Sequence, residues 1–158
     1  MRSGPSRGDE FGFRGVLTIR KYRGGELCWQ SALMRNKVVS GSGGYGRNLV
    51  MRHLYGDTTY PLEIDSMSLG DGNAAPADSD TALDNPTVTG VPLTTRALAN
   101  NVLSIDVFIT SENLPNGTYR EIGFSCDDRL FSRLLLVPEF TKDEGEDVLF
   151  SYELTATG

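Results

Sequence analysis

Four short turn signals divide this chain into strand-length segments and constrain its fold more than any other feature. They are Gly24-Gly25, Asn100-Asn101, Asn116-Gly117 and Asp127-Asp128, and each adjoins runs rich in Val, Leu, Ile, Thr, Tyr and Phe. Glycine, asparagine and aspartate tolerate the backbone angles of tight hairpin turns better than other residues. The chain is therefore expected to fold as a series of antiparallel hairpins.

The same pattern predicts nine strands and one helix. The strands are predicted over residues 16–22, 26–32, 36–40, 62–69, 87–99, 102–110, 119–126, 129–137 and 148–155. A helix is predicted over residues 47–55, with Leu49, Val50, His53 and Leu54 on one face and Gly56 at its end. With 158 residues in total, residues 15–158 are predicted to form one mostly-β domain. We expect an antiparallel β-sandwich, with the jelly roll as one candidate arrangement.

Residues 1–14 have a different composition and are predicted to form an extended N-terminal arm. They are rich in Gly, Ser and Arg, and they contain Phe11 and Phe13 near the predicted domain. Exposed aromatic rings favour contact with a neighbouring molecule, so Phe11, Phe13 and Arg14 are candidate interface residues. A disordered start to the chain is the alternative interpretation.

Charge and cysteine content exclude several classes of protein. Asp and Glu number 21 against 15 Lys and Arg, which gives a net charge of -6 and disfavours direct contact with nucleic acid phosphates. Cys28 and Cys126 are too few for a disulfide framework and are expected to be buried thiols. Since no apolar run reaches about 18 residues, we expect no contact with a membrane. No secretory signal is recognisable, which favours folding in a cytoplasm.

A glycine-rich segment imitates a dinucleotide-binding motif. Gly41, Gly43 and Gly46 match the spacing of that motif, and Glu63 and Asp65 follow about 20 residues later. The motif functions within a βαβ unit, whereas hairpins follow here. We therefore interpret these glycines as a turn that leads into the helix, and we expect no cofactor.

Asp71, Asn73, Asp78 and Asp80 are weak candidates for a cation site. Oxygen ligands at such short spacing suit Ca²⁺, but Pro76 and Ala82 stand where a calcium loop needs glycine and a bidentate glutamate. Asp78 or Ser79 capping a one-turn helix is the alternative. We expect no metal.

Catalytic signals are weak and nonspecific. His53 is the only histidine, and its place on the apolar helix face predicts a packed, hydrogen-bonded side chain. Glu112, Glu121, Asp127 and Asp128 could supply paired carboxylates for glycan hydrolysis, but carboxylates near turns are usually solvated. The chain is therefore not expected to be an enzyme.

Three segments carry a resemblance to a known group of proteins. They are SMSLGDGNAAPADSDTALDN at residues 66–85, Tyr119-Arg-Glu-Ile-Gly-Phe124, and Leu130-Phe-Ser-Arg-Leu134. Together they resemble a module of tailed-bacteriophage structural proteins with the pattern GxGxxxPxxxDTAL followed by REIGLF and LFAR. The resemblance covers roughly residues 36–155. It departs from the pattern at Ser125 and Cys126, where longer, glycine-bearing hairpin tips are usual. It also departs where Phe-Ser-Arg replaces the commoner Phe-Ala-Arg.

The resemblance implies a virion component assembled in the cytoplasm of a bacterial host. A tail, baseplate or fibre-attachment protein is the first expectation, and a capsid decoration (cement) protein or a receptor- or glycan-binding module of a fibre is the alternative. The implied partners are other virion proteins and further copies of the chain. In such proteins the equivalent of Asp80 opens a connection between strands, and the equivalent of Glu121 lies on a core strand.

Overall fold

The computed structural model describes residues 12–157, and these contain eleven strands, one α-helix and one 3-10 turn. The elements are β1 (Gly12–Arg23), β2 (Glu26–Gln30), β3 (Met34–Arg35), β4 (Lys37–Val38), α1 (Arg47–Tyr55), β5 (Ser66–Gly70), β6 (Pro86–Pro92), β7 (Thr95–Ala99), β8 (Val102–Ile109), the 3-10 turn Ser111–Asn113, β9 (Gly117–Cys126), β10 (Arg129–Lys142) and β11 (Asp147–Thr157).

The strands form two antiparallel sheets. Sheet A has the order β2-β1-β11-β8-β7, with β3 also paired to β1, and sheet B has the order β4-β10-β9-β5-β6. Their inner faces supply one shared hydrophobic core. The predicted β-sandwich is therefore confirmed, with a single helix beside it.

Alternation along β11 contributes one face to the core. On β11, Val148, Phe150, Tyr152 and Leu154 are all buried, as predicted. The ring of Tyr152 stacks on Phe124 of β9 with centroids 4.2 Å apart. Because the two rings come from opposite sheets, this contact joins the layers.

Three of the four predicted turns connect hairpin strands, whereas Asn116-Gly117 lies where the chain passes from β8 of sheet A to β9 of sheet B. Gly24 and Gly25 connect β1 to β2 with φ of 56° and 82°, and Asn100 connects β7 to β8 with φ of 56°. Asp127 and Asp128 connect β9 to β10 with φ of 45° and 69°. Local turn chemistry thus determines these three hairpins.

The helix occupies the predicted residues, and Gly56 ends it in the left-handed conformation with φ of 100°. Leu49 is buried on its inner face, whereas Leu54 is exposed and the prediction for that residue is wrong. Among the described residues, no helix has the length and apolar character needed to span a membrane.

Several predicted element boundaries are corrected. The predicted strand 87–99 is two strands in different sheets, β6 in sheet B and β7 in sheet A. The strand predicted over 62–69 begins only at Ser66. Within the described chain, the segment between β5 and β6 contains no helix, so the predicted one-turn helix is wrong. Cys126 is buried but Cys28 is exposed, contrary to expectation.

Candidate functional site

Arg133 on β10 and Glu121 on β9 form a buried ion pair on the outer face of sheet B. Nη2 and Nε of Arg133 lie 3.0 Å and 3.2 Å from Oε1 of Glu121. Nη1 also donates to Oδ2 of Asp80 at 2.8 Å, and Nη2 donates to the Ala74 carbonyl at 2.6 Å. The side chains of Glu121 and Arg133 are only 0% and 2% exposed. We call Glu121, Arg133 and Asp80 the clamp, because they tie the loop between β5 and β6 to the sheet.

The Glu121 carboxylate also binds the backbone at both ends of that loop. Oε2 accepts from the amides of Gly72 at 2.9 Å and Asn85 at 2.7 Å, and Oε1 accepts from the Asp84 amide at 2.8 Å. Hydrogen bonds to a carboxylate are stronger than those between neutral groups. One carboxylate therefore holds the start and the end of the loop together.

Two glycines allow the backbone to approach this carboxylate. A Cβ at Gly70 would lie 2.6 Å from Oε2 of Glu121, and a Cβ at Gly72 would lie 2.5 Å from the same atom. A Cβ at Gly70 would also lie 2.4 Å from the Asn85 carbonyl oxygen, and a Cβ at Gly72 would lie 2.5 Å from Cβ of Asp84. The two glycines of the 66–85 segment therefore allow the start of the loop to pack against both Glu121 and the end of the loop.

Apolar packing on the same face completes the arrangement. Leu83 is buried, and a Cβ at Gly123 would lie 3.0 Å from its Cδ2 and 2.8 Å from Cδ1 of Leu130. All three sequence segments that carry the phage resemblance thus meet in the clamp and its surroundings. The sequence analysis missed the role of Arg133, although its place in the LFSR segment was the available signal.

Two of the four cation candidates pair with basic side chains. Oδ1 of Asp78 lies 2.8 Å from Arg47 and 3.2 Å from Lys37. Asp80 is part of the clamp, and its Oδ2 lies 2.8 Å from Arg133. The negative charges of Asp78 and Asp80 are therefore balanced by arginine and lysine side chains of the protein.

The other two candidates make local contacts within the loop. Asp71 accepts a hydrogen bond from the Asn85 side chain, and the Asn73 amide donates to Asp84 at 3.1 Å. Among the described residues, no three His, Cys, Asp or Glu side chains are grouped so that they could hold a metal ion. The loop is organised by the clamp and by these local bonds.

The glycine-rich turn before α1 has a structural explanation. Gly46 adopts φ of 55°, and a Cβ there would lie 1.9 Å from the Val39 carbonyl oxygen. Arg129 donates to the Gly43 carbonyl at 2.7 Å, and its guanidinium lies 3.5 Å from the centre of the Tyr60 ring. Close backbone packing and this cation–π contact account for the turn.

The catalytic candidates do not form one group. His53 Nε2 lies 2.6 Å from the Tyr60 carbonyl oxygen, so this histidine is packed and hydrogen-bonded as predicted. Glu121 is buried in the clamp, and the expectation that it is solvated is wrong. Glu112 lies on the 3-10 turn, and Asp127 forms the β9–β10 turn. Sequence position alone could not show that Glu121 is covered by a loop.

Two of the three interface candidates, Phe13 and Arg14, lie at the start of β1. Phe11 is outside the described residues. Phe13 is half-buried, and its ring packs edge-to-face on Phe131 with centroids 5.8 Å apart, while Arg14 is exposed. Gly12 already pairs with the end of β11. The last three residues of the predicted arm therefore belong to sheet A.

An apolar groove lies between the two sheets beside Phe13. Its volume is about 490 Å³. Six apolar residues lining it are Phe13, Val50, Leu62, Leu98, Leu103 and Phe131. At its rim, Arg96 pairs with Glu63 at 2.6 Å. The sequence analysis missed this groove because its walls come from distant segments. Arg96 and Leu98, two residues apart on β7, lie on the same face of the strand and both line the groove.

Three comparisons provide no relative from which a function could be transferred. No protein-family model, no curated protein and no solved structure matches this chain.

Proposed function

We propose that this chain is a non-enzymatic structural protein of a tailed-bacteriophage virion. In this proposal it forms a homo-oligomer and assembles with other virion proteins as a tail, baseplate or fibre-attachment component. The observation that carries the proposal is the convergence of the three resemblance segments on the buried clamp. The clamp carboxylates, which could have formed a metal site or a catalytic pair, instead hold the loop between β5 and β6 against sheet B.

The exposed surface supports a role in protein contacts. Large apolar side chains are exposed at several places, including Leu33, Tyr55, Leu98 and Val137. Such side chains are available for contact with a partner protein. The net charge of -6 favours protein partners over nucleic acid.

Locating the chain in intact particles tests this proposal. Antibodies raised against the purified protein should label virions produced by a host that carries the coding sequence, in immunogold electron microscopy. A reconstruction of the same particles should contain density into which the sandwich fits. Particles that lack the protein, while the host cytoplasm contains it in quantity, would contradict the proposal.

Calorimetry tests the non-enzymatic part separately. We expect no binding of NAD or ATP at the glycine-rich turn, since Arg129 and Tyr60 already pack against it. A dissociation constant below about 100 μM, which corresponds to about -5.5 kcal/mol, would refute that interpretation.

A capsid decoration protein or a receptor- or glycan-binding module of a fibre is the second candidate. A depression of about 220 Å³ on the outer side of sheet B favours the glycan-binding form, because hydroxyl groups line it. They belong to Ser66, Ser68, Thr81, Thr89 and Ser125. However, Tyr60 packs under Arg129 and Phe140 is buried in the core, so neither is available to stack on a sugar. Binding on a glycan array that is lost in Ser68→Leu would favour this candidate over the first.

A further inference from the structure

Strand β7 combines a free edge with an uncovered inner face. Among the described residues, β7 pairs with β8 alone, and all five of its residues are exposed. Leu98 lies opposite Leu103 in the register and therefore faces the groove, yet it is 76% exposed. The equivalent edge of sheet B is different, because β6 carries Pro86 and Pro92, and proline blunts a strand edge.

The start of β1 lies at the same end of the sandwich as the groove. Phe13, the second residue of β1, lines the groove. At least eleven residues precede Gly12, and Phe11 is the aromatic residue among them. A two-fold axis that passes beside Phe13 would bring the start of each β1 to the groove of the other copy.

We propose that the groove of each copy binds the N-terminal segment, residues 1–11, of a second copy, with Phe11 seated against Leu98. The segment adds to the free edge of β7, which supplies backbone hydrogen bonds, while the groove supplies the apolar contact. The exchange is reciprocal, so it closes a symmetric dimer. This assignment rests on the proposed role in assembly, and it names the partner and the surface.

For a contact of Phe11 with Leu98, distances favour a second copy over the same chain. The register places Leu98 level with Gly15 on β1, three strands away. Three strand spacings amount to about 14 Å, and Gly12 lies about 10 Å further along β1. The Cα atoms of Gly12 and Leu98 are thus about 17 Å apart. Since Phe11 adds only about 3.8 Å of reach, its own Cα stays about 13 Å or more from that of Leu98.

Disulfide trapping between two different variants tests the contact. Both proteins carry Cys28→Ser to remove the exposed thiol. One also carries Phe11→Cys, and the other carries Leu98→Cys with an affinity tag that changes its size. After mixing and mild oxidation, a covalent heterodimer is expected on a non-reducing gel. A disulfide needs Cα atoms about 4.4–6.8 Å apart, so the product reports direct proximity.

A matched control uses another exposed leucine. Leu27 is 53% exposed and lies on β2, at the opposite edge of sheet A from β7. Heterodimer from Phe11→Cys with Leu98→Cys should exceed that from Phe11→Cys with Leu27→Cys by about tenfold or more. Equal yields would overturn the proposal. An intramolecular disulfide in a chain carrying both cysteines would also overturn it, and would instead show that the segment occupies its own groove.

Sedimentation of the reversible dimer provides an independent measurement. Phe11→Ser and Leu98→Ser should each weaken self-association by about tenfold or more, which is the loss expected for removing one buried apolar side chain. Leu27→Ser should not change it. A wild-type chain that stays monomeric at high concentration would refute the proposal. Labelling of virions in that case would leave the proposed virion role intact and restrict the failure to self-association through this surface.

Discussion

Replacing Glu121 with glutamine tests whether the clamp holds the fold. The glutamate accepts five hydrogen bonds, three from loop amides and two from Arg133. Glutamine has nearly the same shape, but it removes the negative charge and turns one acceptor into an N–H donor that faces other donors. Arg133 then keeps Asp80 as its remaining carboxylate partner in the clamp.

The expected loss follows from the burial of both charges. Removing one partner of a buried ion pair costs about 3–5 kcal/mol. That is a large part of a typical stability of about 5–15 kcal/mol. For a domain of this size it corresponds to a fall in Tm of about 6–20 °C. Urea unfolding followed by circular dichroism measures the free energy directly.

Glu139 provides the matched control. It pairs with Arg120 at 2.8 Å on the same two strands, but its side chain is 49% exposed. Exposed pairs contribute about 0–1 kcal/mol, so Glu139→Gln should change stability by no more than that. If Glu121→Gln and Glu139→Gln destabilise the protein equally, the clamp does not hold the loop.

A double-mutant cycle separates the pair from the loop contacts. Arg133→Met leaves the Glu121 carboxylate buried without its cation, so it should be at least as harmful as Glu121→Gln. The double variant should lose less than the sum of the two single losses, by about 0.5–3 kcal/mol. Strict additivity would mean that the two side chains act independently despite the 3.0 Å contact.

Four further outcomes follow from other parts of the structure. Gly72→Ala should destabilise the fold by about 1–3 kcal/mol and speed amide exchange in the loop, and unchanged exchange would contradict the close approach. Phe150→Ala should cost about 3–5 kcal/mol in urea unfolding through a core cavity, and a loss below 1 kcal/mol would contradict its burial. Burial opposes ionisation of Glu146, but the Asp143 amide and the charge of Lys21 outweigh it and hold its pKa below the ordinary 4.5. The stability difference between wild type and Glu146→Gln should therefore be present at pH 7 and shrink as the pH falls below about 4.5, and a constant difference would refute this. In native protein Cys28 should react with a thiol reagent and Cys126 should not, since burial raises the Cys126 pKa to about 12, and two rapidly reacting thiols would contradict that placement.

Local features were predictable from the sequence because they depend on neighbouring residues. Hairpins at Gly24-Gly25 and Asp127-Asp128, the helix over Arg47–Tyr55, and the buried face of β11 all follow from turn chemistry or periodicity. The split between β6 and β7 did not follow, because β6 pairs with β5 in one sheet and β7 pairs with β8 in the other. Pairing between distant strands decides that point.

The candidate site was less predictable for the same reason. Glutamate is rarely fully buried, so its residue type argued for exposure of Glu121. Its burial depends on a loop 36 to 49 residues earlier in the chain and on Arg133 from the next strand. The groove likewise needs Phe13, Leu62 and Leu98 to meet at one end of the sandwich.

The clamp and the groove should respond in opposite ways to substitution, and this separates folding from assembly. Glu121 and Arg133 of the clamp are buried and pair with each other, so Glu121→Gln should reduce the fraction of folded protein without changing the dimerisation constant of the folded molecules. Leu98 is exposed and makes little contribution to the core, so Leu98→Ser should leave the free energy of unfolding within about 0.5 kcal/mol of wild type while weakening self-association. Urea unfolding of dilute monomer and sedimentation of concentrated protein measure the two quantities independently. If Leu98→Ser lowers both, β7 belongs to the folding unit and the groove is a packing defect filled within one chain. If it lowers neither, the partner surface lies elsewhere on the sandwich.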